Sequence, residues 1–162
     1  MAVTRRPIHP DDEEFLYSVY AGTRTDELAV VDWDEARKTA FLKMQFSAQH
    51  KHYQEHFPDA AFEIVLLDGN PIGRLYVDRR EDEIRLVDIA LLPEYRNAGI
   101  GTSLLKELMA EAAAAHRPVR IHVERFNRAL RLYEQLGFTT IAEHGAYFLL
   151  EWAPDRQPNT AS

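Results

Sequence analysis

The 162 residues contain no cysteine. That one absence excludes disulfides, thiolate metal sites and a cysteine nucleophile. Basic runs are missing as well. Lys and Arg number 19 against 26 Asp and Glu, for a formal charge of −7. No clustered positive charge marks a nucleic-acid footprint, so no nucleic-acid partner is expected. No apolar run approaches the length of a membrane span, and Met1-Ala2-Val3-Thr4-Arg5-Arg6-Pro7 lacks a hydrophobic signal region. A cytoplasmic location without a membrane partner is the default.

What is present is ordinary for a globular protein: 46% hydrophobic and 28% charged residues, with neither disorder nor fibrous structure indicated. The length fits one domain with a proper core. An acidic surface is mildly suited to a cationic or amine substrate, although net charge speaks only to steering and solubility.

Read in order, residues 2–8 form a short strand. Asp11, Asp12, Glu13 and Glu14 open a helix over 11–21 with acids in its first turn, where the helix dipole favours them, and Gly22 closes it. Residues 23–31 read as a loop. Asp32 and Glu35 have the spacing of a capping box ahead of a longer helix to about His56. Leu42, Gln45, Phe46, Gln49 and Tyr53 share one face of it. The period then changes to strands at 62–67 and 72–79, joined by an Asp68-Gly69-Asn70 turn, and a third strand at 84–92. A helix with an apolar stripe of Leu104, Leu105, Leu108, Met109 and Ala112 follows. A strand at 119–124, a short helix at 127–136 capped by Gly137, and strands at 138–142 and 146–152 complete the chain. The expectation is a single α/β (α+β) domain over 1–152, with a mixed, largely antiparallel central sheet flanked by helices. A frayed tail occupies 153–162.

The chemistry-bearing stretch runs from the third strand through a glycine loop into a helix. Unpaired N–H groups and the dipole at such a helix start favour an anion. A lone G-x-G is weak evidence, and structural use of glycine in a turn is about as common. Its place between a strand and a helix shifts the balance towards phosphate. The P-loop is excluded because no lysine follows Gly101 at the required position. The dinucleotide fingerprint is excluded because Leu104 stands where its third glycine belongs.

Arg96-Asn97-Ala98-Gly99-Ile100-Gly101 resembles the R/Q-x-x-G-x-G/A loop of the GNAT superfamily of acyl-CoA N-acyltransferases. The preceding Asp88-Ile89-Ala90-Leu91, with Pro93 and Tyr95, is similar to that superfamily's strand-to-loop segment. Asn127-Arg128-Ala129, with Leu132-Tyr133-Glu134 and Leu136-Gly137-Phe138, resembles its second conserved block. The resemblance implies a GNAT-like fold and transfer of an acetyl group from acetyl-CoA, as co-substrate, to a primary amine on a small molecule or peptide, without a metal.

The resemblance also implies roles. Backbone N–H groups of Asn97, Ala98, Gly99, Ile100, Gly101 and Thr102 would hold the coenzyme A pyrophosphate, with Arg96 adding charge. The backbone of Ile89, Ala90 and Leu91 would pair with the pantetheine arm like an added strand. Asn127 would touch that arm or cap a helix. Tyr133 would be the acid that protonates the departing thiolate, unless it is simply a packed tyrosine. For the base, Asp88 acting through water and His122 are both candidates; each is equally readable as a structural residue. The early helices, with Met44, Gln45, Gln49 and Tyr53, would line the acceptor side. Trp33 reads as a core anchor or a substrate contact. His50 and His52, two apart on a helix, point in different directions and do not make a metal pair. An acyl-CoA-binding regulatory domain without turnover is the alternative. Assembly as a homodimer and the identity of the acceptor stay open.

Overall fold

The computed structural model describes residues 2–156, which form four helices and seven strands. In chain order these are β1 (Val3–Pro7), α1 (Glu13–Ala29), α2 (Glu35–His56), β2 (Ala61–Leu67), β3 (Asn70–Arg79), β4 (Ile84–Leu91), α3 (Ile100–Ala114), β5 (Val119–Glu124), α4 (Leu130–Gln135), β6 (Thr139–His144) and β7 (Tyr147–Trp152). The strands form one sheet in the order β1-β2-β3-β4-β5-β7-β6. β1 pairs antiparallel with β2, and β7 pairs antiparallel with both β5 and β6, whereas β4 and β5 run parallel. The expected mixed, largely antiparallel sheet is therefore present.

The first compact unit comprises residues up to Tyr76 together with Asp88–Ile100. Its core draws Leu16, Val19 and Tyr20 from α1, Phe46 from α2, Ile64 and Val65 from β2, and Ile72 and Leu75 from β3. The turn from β2 to β3 places Asp68 and Gly69 at φ +50° and +85°. Two consecutive left-handed residues suit the right-handed twist of a hairpin. Asp68 also ties down the start of the chain, because its carboxylate accepts from Ala2 N at 2.8 Å.

Two expectations in this unit are corrected. α1 does not stop at Gly22; it continues to Ala29 and absorbs most of the segment read as a loop. Gly22 serves close packing instead of termination. A Cβ there would lie 3.1 Å from Pro93 Cδ, tighter than ordinary contact. The N-cap of α2 is Asp34, not Asp32, since the Asp34 carboxylate accepts from Arg37 N at 2.8 Å.

The second unit comprises Val77–Val87 and the residues from Gly101 onward. Leu104, Leu105, Leu108 and Ala112 bury one face of α3; Val119, Ile121, Val123 and Leu150 contribute from β5 and β7. Glu83, 5% exposed, is surrounded by Arg80, Arg85 and Arg120 at 3.3, 3.3 and 3.7 Å. Three cations around one buried carboxylate supply the pairing that a buried charge requires. α4 is shorter than the expected 127–136. Gly137 caps its end at φ +101°, and Phe138 N donates back to Tyr133 O at 3.0 Å. Of the tail expected to fray over 153–162, Pro154–Arg156 form a 3-10 turn. Arg156 in that turn bonds Glu151 and Thr139. Residues 157–162 lie outside the described residues.

Candidate active site

The glycine loop leaves β4 through a 3-10 turn at Pro93–Tyr95 and enters α3 at Ile100. Asn97 and Gly99 take left-handed φ of +61° and +82°. Asn97, Ala98 and Gly99 are exposed, Gly101 and Thr102 are half-buried, and Ile100 is buried as the first anchor of the helix. A Cβ built on Gly99 or Gly101 would meet nothing within 4 Å. These glycines therefore do not make room for other parts of the protein. The space in front of them is open, at a helix start whose first N–H groups have no carbonyl one turn back. Residues 96–102 contain no acid, so nothing in the loop repels a phosphate. The residues present fit a pyrophosphate.

Arg96, expected to add charge at the loop, also makes contacts within the protein. Its Nε donates to Leu91 O at 3.2 Å and its Nη2 to Gly22 O at 3.1 Å. The guanidinium is engaged with backbone carbonyls of β4 and α1. Leu91 O, one of the groups expected to meet the pantetheine arm, thereby accepts one hydrogen bond from Arg96. Leu91 is buried, and Ile89 and Ala90 are half-buried. Gly73 on β3 lies against this stretch: a Cβ there would be 2.3 Å from Ala90 O and 3.0 Å from Leu91 Cα. Only glycine allows the two strands this approach.

Asp88, on β4, sits in a polar cluster inside the first unit. Its Oδ2 accepts from Arg74 Nη2 at 2.7 Å and from Tyr53 OH at 3.0 Å. The same Arg74 Nη2 donates to Gln49 Oε1 at 2.9 Å, and the guanidinium lies 5.2 Å from the ring centre of Tyr76. The side chain of Arg74 is 3% exposed and that of Asp88 16%. Burial alone would lower the pKa of Arg74, but Asp88 opposes it and the net displacement is upward. Tyr53 is pushed well above its ordinary value, first by burial and then by the adjacent Asp88 charge. Both groups therefore act as hydrogen-bond donors in their protonated forms. Arg74 Nε is buried without a hydrogen bond of ordinary geometry, and the Tyr76 hydroxyl has the Arg74 guanidinium as its polar neighbour.

Arg74 was not singled out in the sequence, although Ile72-Gly73-Arg74-Leu75-Tyr76-Val77 holds the one signal that finds it: a lone charge within an apolar strand. Gln49 and Tyr53 share the expected face of α2. Gln45 is on that face too and accepts from Tyr20 OH at 3.1 Å. Met44 is not; it is 62% exposed. Trp33 packs edge-on against Phe41 at 5.2 Å, beneath the Arg37 guanidinium, as a local anchor.

In the second unit, His122 Nδ1 receives a hydrogen bond from Arg85 Nη1 at 2.8 Å. Arginine has no acceptor, so Nδ1 uses its lone pair on Arg85 and the ring proton resides on Nε2. The pKa of His122 is lowered, by burial first, then by Arg85 and His144. The ring is neutral, but neither nitrogen has a spare lone pair. Tyr133 is 2% exposed and packs edge-to-face with Phe138 at 5.5 Å. Asn127 Oδ1 accepts from Ala129 N at 2.7 Å, which fixes the turn before α4 and leaves the amide NH2 as its outward donor.

Among the described residues no group of three or more His, Asp or Glu side chains gathers as for a metal, and no helix is long and apolar enough to cross a membrane. His50 stacks on Phe46, and His52 stacks on His56.

Comparison with known proteins identifies the family and fold. Residues 58–140 match the family model described as Acetyltransferase (GNAT) domain. The chain is 26% identical to the N-alpha-acetyltransferase of Sulfurisphaera tokodaii over 69% of its own length and 77% of that protein's. Its fold is similar to PaiA N-acetyltransferase from Thermoplasma acidophilum, solved in complex with coenzyme A. The TM-score is 0.71 at 21% identity, covering 94% of this chain and 99% of that one. It is also similar to the ribosomal-protein-S18-alanine N-acetyltransferase from Escherichia coli, with TM-score 0.62, 17% identity and 99% coverage of both chains.

Proposed function

The chain belongs to the GNAT acetyltransferase family, and from that membership we propose that it transfers an acetyl group from acetyl-CoA to a primary amine of a small molecule or a peptide. We assign this activity to residues 1–152. The observation that carries the reading is the loop at 96–102, open in front of Gly99 and Gly101 at the start of α3. The N–H groups of residues 97–102 would hold the pyrophosphate, and the backbone of Ile89 and Ala90 would meet the pantetheine arm. Asn127 would offer its amide NH2.

Acetyl-CoA supplies a thioester carbonyl open to attack by a neutral amine. The acceptor arrives as an ammonium, since a lysine-like amine has an ordinary pKa near 10.4. Asp88 takes one proton from it, directly or through water. Asp88 is preferred to His122 because His122 has both nitrogens committed. As the C–N bond forms, the C–S bond breaks and Tyr133 gives its proton to the departing thiolate. The attacking nitrogen then loses its second proton to solvent, and solvent returns one to the Tyr133 phenolate. The one net proton released is the one Asp88 took.

The 26% identical relative is named for N-alpha-acetylation, which makes a peptide N-terminus the first acceptor to try. The test is release of free thiol from acetyl-CoA across a panel of amines: peptide N-termini, lysine peptides, polyamines and aminoglycosides. Thiol release above hydrolysis with at least one amine is expected. Its absence across the panel, with coenzyme A still stabilising the fold in a thermal shift, would instead favour a binding domain without turnover.

A further inference from the structure

Both hydrogen bonds to Asp88 fall on the same oxygen. Tyr53, from α2, and Arg74, from β3, converge on Oδ2 at 3.0 and 2.7 Å, and Oδ1 has no protein partner among the described residues. A carboxylate held by one donor swings about its terminal torsion, which is broad and two-fold, so its oxygens exchange. Donors on two different elements prevent that exchange. Arg74 is itself immobilised by Gln49 Oε1 and by the ring of Tyr76.

A stability role does not account well for this cluster. A buried ion pair is weak evidence for stability, because desolvation offsets the attraction. Here Arg74 Nε also lacks a hydrogen bond of ordinary geometry. A buried charge held at such cost beside a part-exposed carboxylate is the pattern of a site whose geometry is imposed.

We propose that Arg74 and Tyr53 are positioning residues. They take Oδ2 of Asp88 and thereby reserve Oδ1 as the single oxygen that receives the acceptor's proton. The proposal rests on the acetyl-transfer reading above, with Asp88 as base. The proton passes from the ammonium nitrogen to Oδ1 and then to solvent; no other bond is made or broken at Asp88. α2 thus contributes to turnover through Tyr53 as well as lining the acceptor side.

The decisive experiment is a double-mutant cycle on kcat with Tyr53→Phe, Asp88→Asn and the pair, alongside the acetyl-CoA KM and melting temperature of each protein. Tyr53→Phe removes one oxygen and is expected to fold. Its kcat should fall about ten- to hundredfold, the scale of a displaced catalytic group, while the acetyl-CoA KM stays the same. In the Asp88→Asn background the same change should cost nothing further, because the group it positions is gone. Should Asp88→Asn not fold, Asp88→Glu replaces it, since the longer carboxylate moves its oxygens past the two donors. Losses that multiply, or Asp88→Asn turning over like the wild type, overturn this proposal and leave acetyl transfer standing. A wild type that releases no thiol with any amine overturns both.

Discussion

Arg96 and Gly22 lie 74 residues apart in the chain, yet Arg96 Nη2 donates to the Gly22 carbonyl at 3.1 Å. The arginine that opens the glycine loop is thus used to fasten that loop and the end of β4 to the middle of α1. Gly22 permits the approach, because any side chain there would press on Pro93. Replacing Arg96 by Ala should destabilise the fold by about 1–3 kcal/mol, as expected for two hydrogen bonds from a charged group in a part-buried site. Urea unfolding measures the loss. If Arg96 instead binds phosphate, the main effect will be weaker, less salt-dependent coenzyme A binding with stability unchanged.

Gly73→Ala should be worse for the fold than any other single-methyl change in β3. The new Cβ would sit 2.3 Å from Ala90 O and 3.0 Å from Leu91 Cα, and backbone cannot rotate away as a side chain does. A loss of about 2–3 kcal/mol is expected, at the upper end for overpacking. A denaturation midpoint within error of the wild type would show that the strands relax freely here.

Gly99→Asp should remove coenzyme A binding by placing a carboxylate in the open space before the helix start. An affinity loss of at least about hundredfold, about 2.7 kcal/mol, is expected by calorimetry. The melting temperature without ligand should fall modestly, because the left-handed φ of +82° at Gly99 costs a Cβ-bearing residue about 1 kcal/mol, whereas no protein atom lies within 4 Å to clash with the new Cβ. Retained affinity would show that the pyrophosphate is bound elsewhere.

Tyr133→Phe should lower kcat by about hundredfold, the lower range for loss of a general acid, with coenzyme A affinity retained. The ring contact with Phe138 survives the change, so the melting temperature should stay close to the wild type. Unchanged turnover with a confirmed acceptor would leave Tyr133 as a packing residue.

Stability should depend on Asp12 in acid. Arg6 meets it with two hydrogen bonds of 2.8 Å, and these hold its pKa down at about 2 from an ordinary 3.8. A folded pKa below the unfolded one stabilises the protein above the unfolded value and loses that contribution as pH falls. The stability gap between wild type and Asp12→Asn should therefore be full above about pH 4 and close between pH 4 and pH 2. Denaturation midpoints across that range measure it. A gap as large at pH 2 as at about pH 5 would assign the effect to something other than the Asp12 charge.

Much of the scaffold was legible in the residues. β5 lies where its alternation places it, at 119–124, and the apolar stripe of α3 is buried except for the half-buried Met109. Period and turn chemistry are local properties, carried by neighbours in the chain. The errors came where a distant segment decides the outcome. Gly22 has the appearance of a helix stop, but its contact is with Pro93 and Arg96 from the loop after β4. Asp34 took the capping role assigned to Asp32: both offer the same chemistry two residues apart, and it is Asp34 that has the extended backbone of an N-cap, at φ −71° and ψ 168°.

The candidate site divides in the same way. The sequence alone located the candidate donor side, because a backbone anion site is written in consecutive residues: glycines at 99 and 101, then a helix. It also determined the pairing of Asp88 and His122 as rival bases, but not the choice between them. Which of the two keeps an acceptor atom open depends on the donors that reach each group in space. Arg85 is 37 residues from His122 and occupies its lone pair, whereas Arg74 and Tyr53, 14 and 35 residues from Asp88, occupy only one of its two oxygens. Hydrogen bonds between remote strands and helices leave no period in a sequence. Only the folded chain decides which oxygen or nitrogen remains free to take a proton.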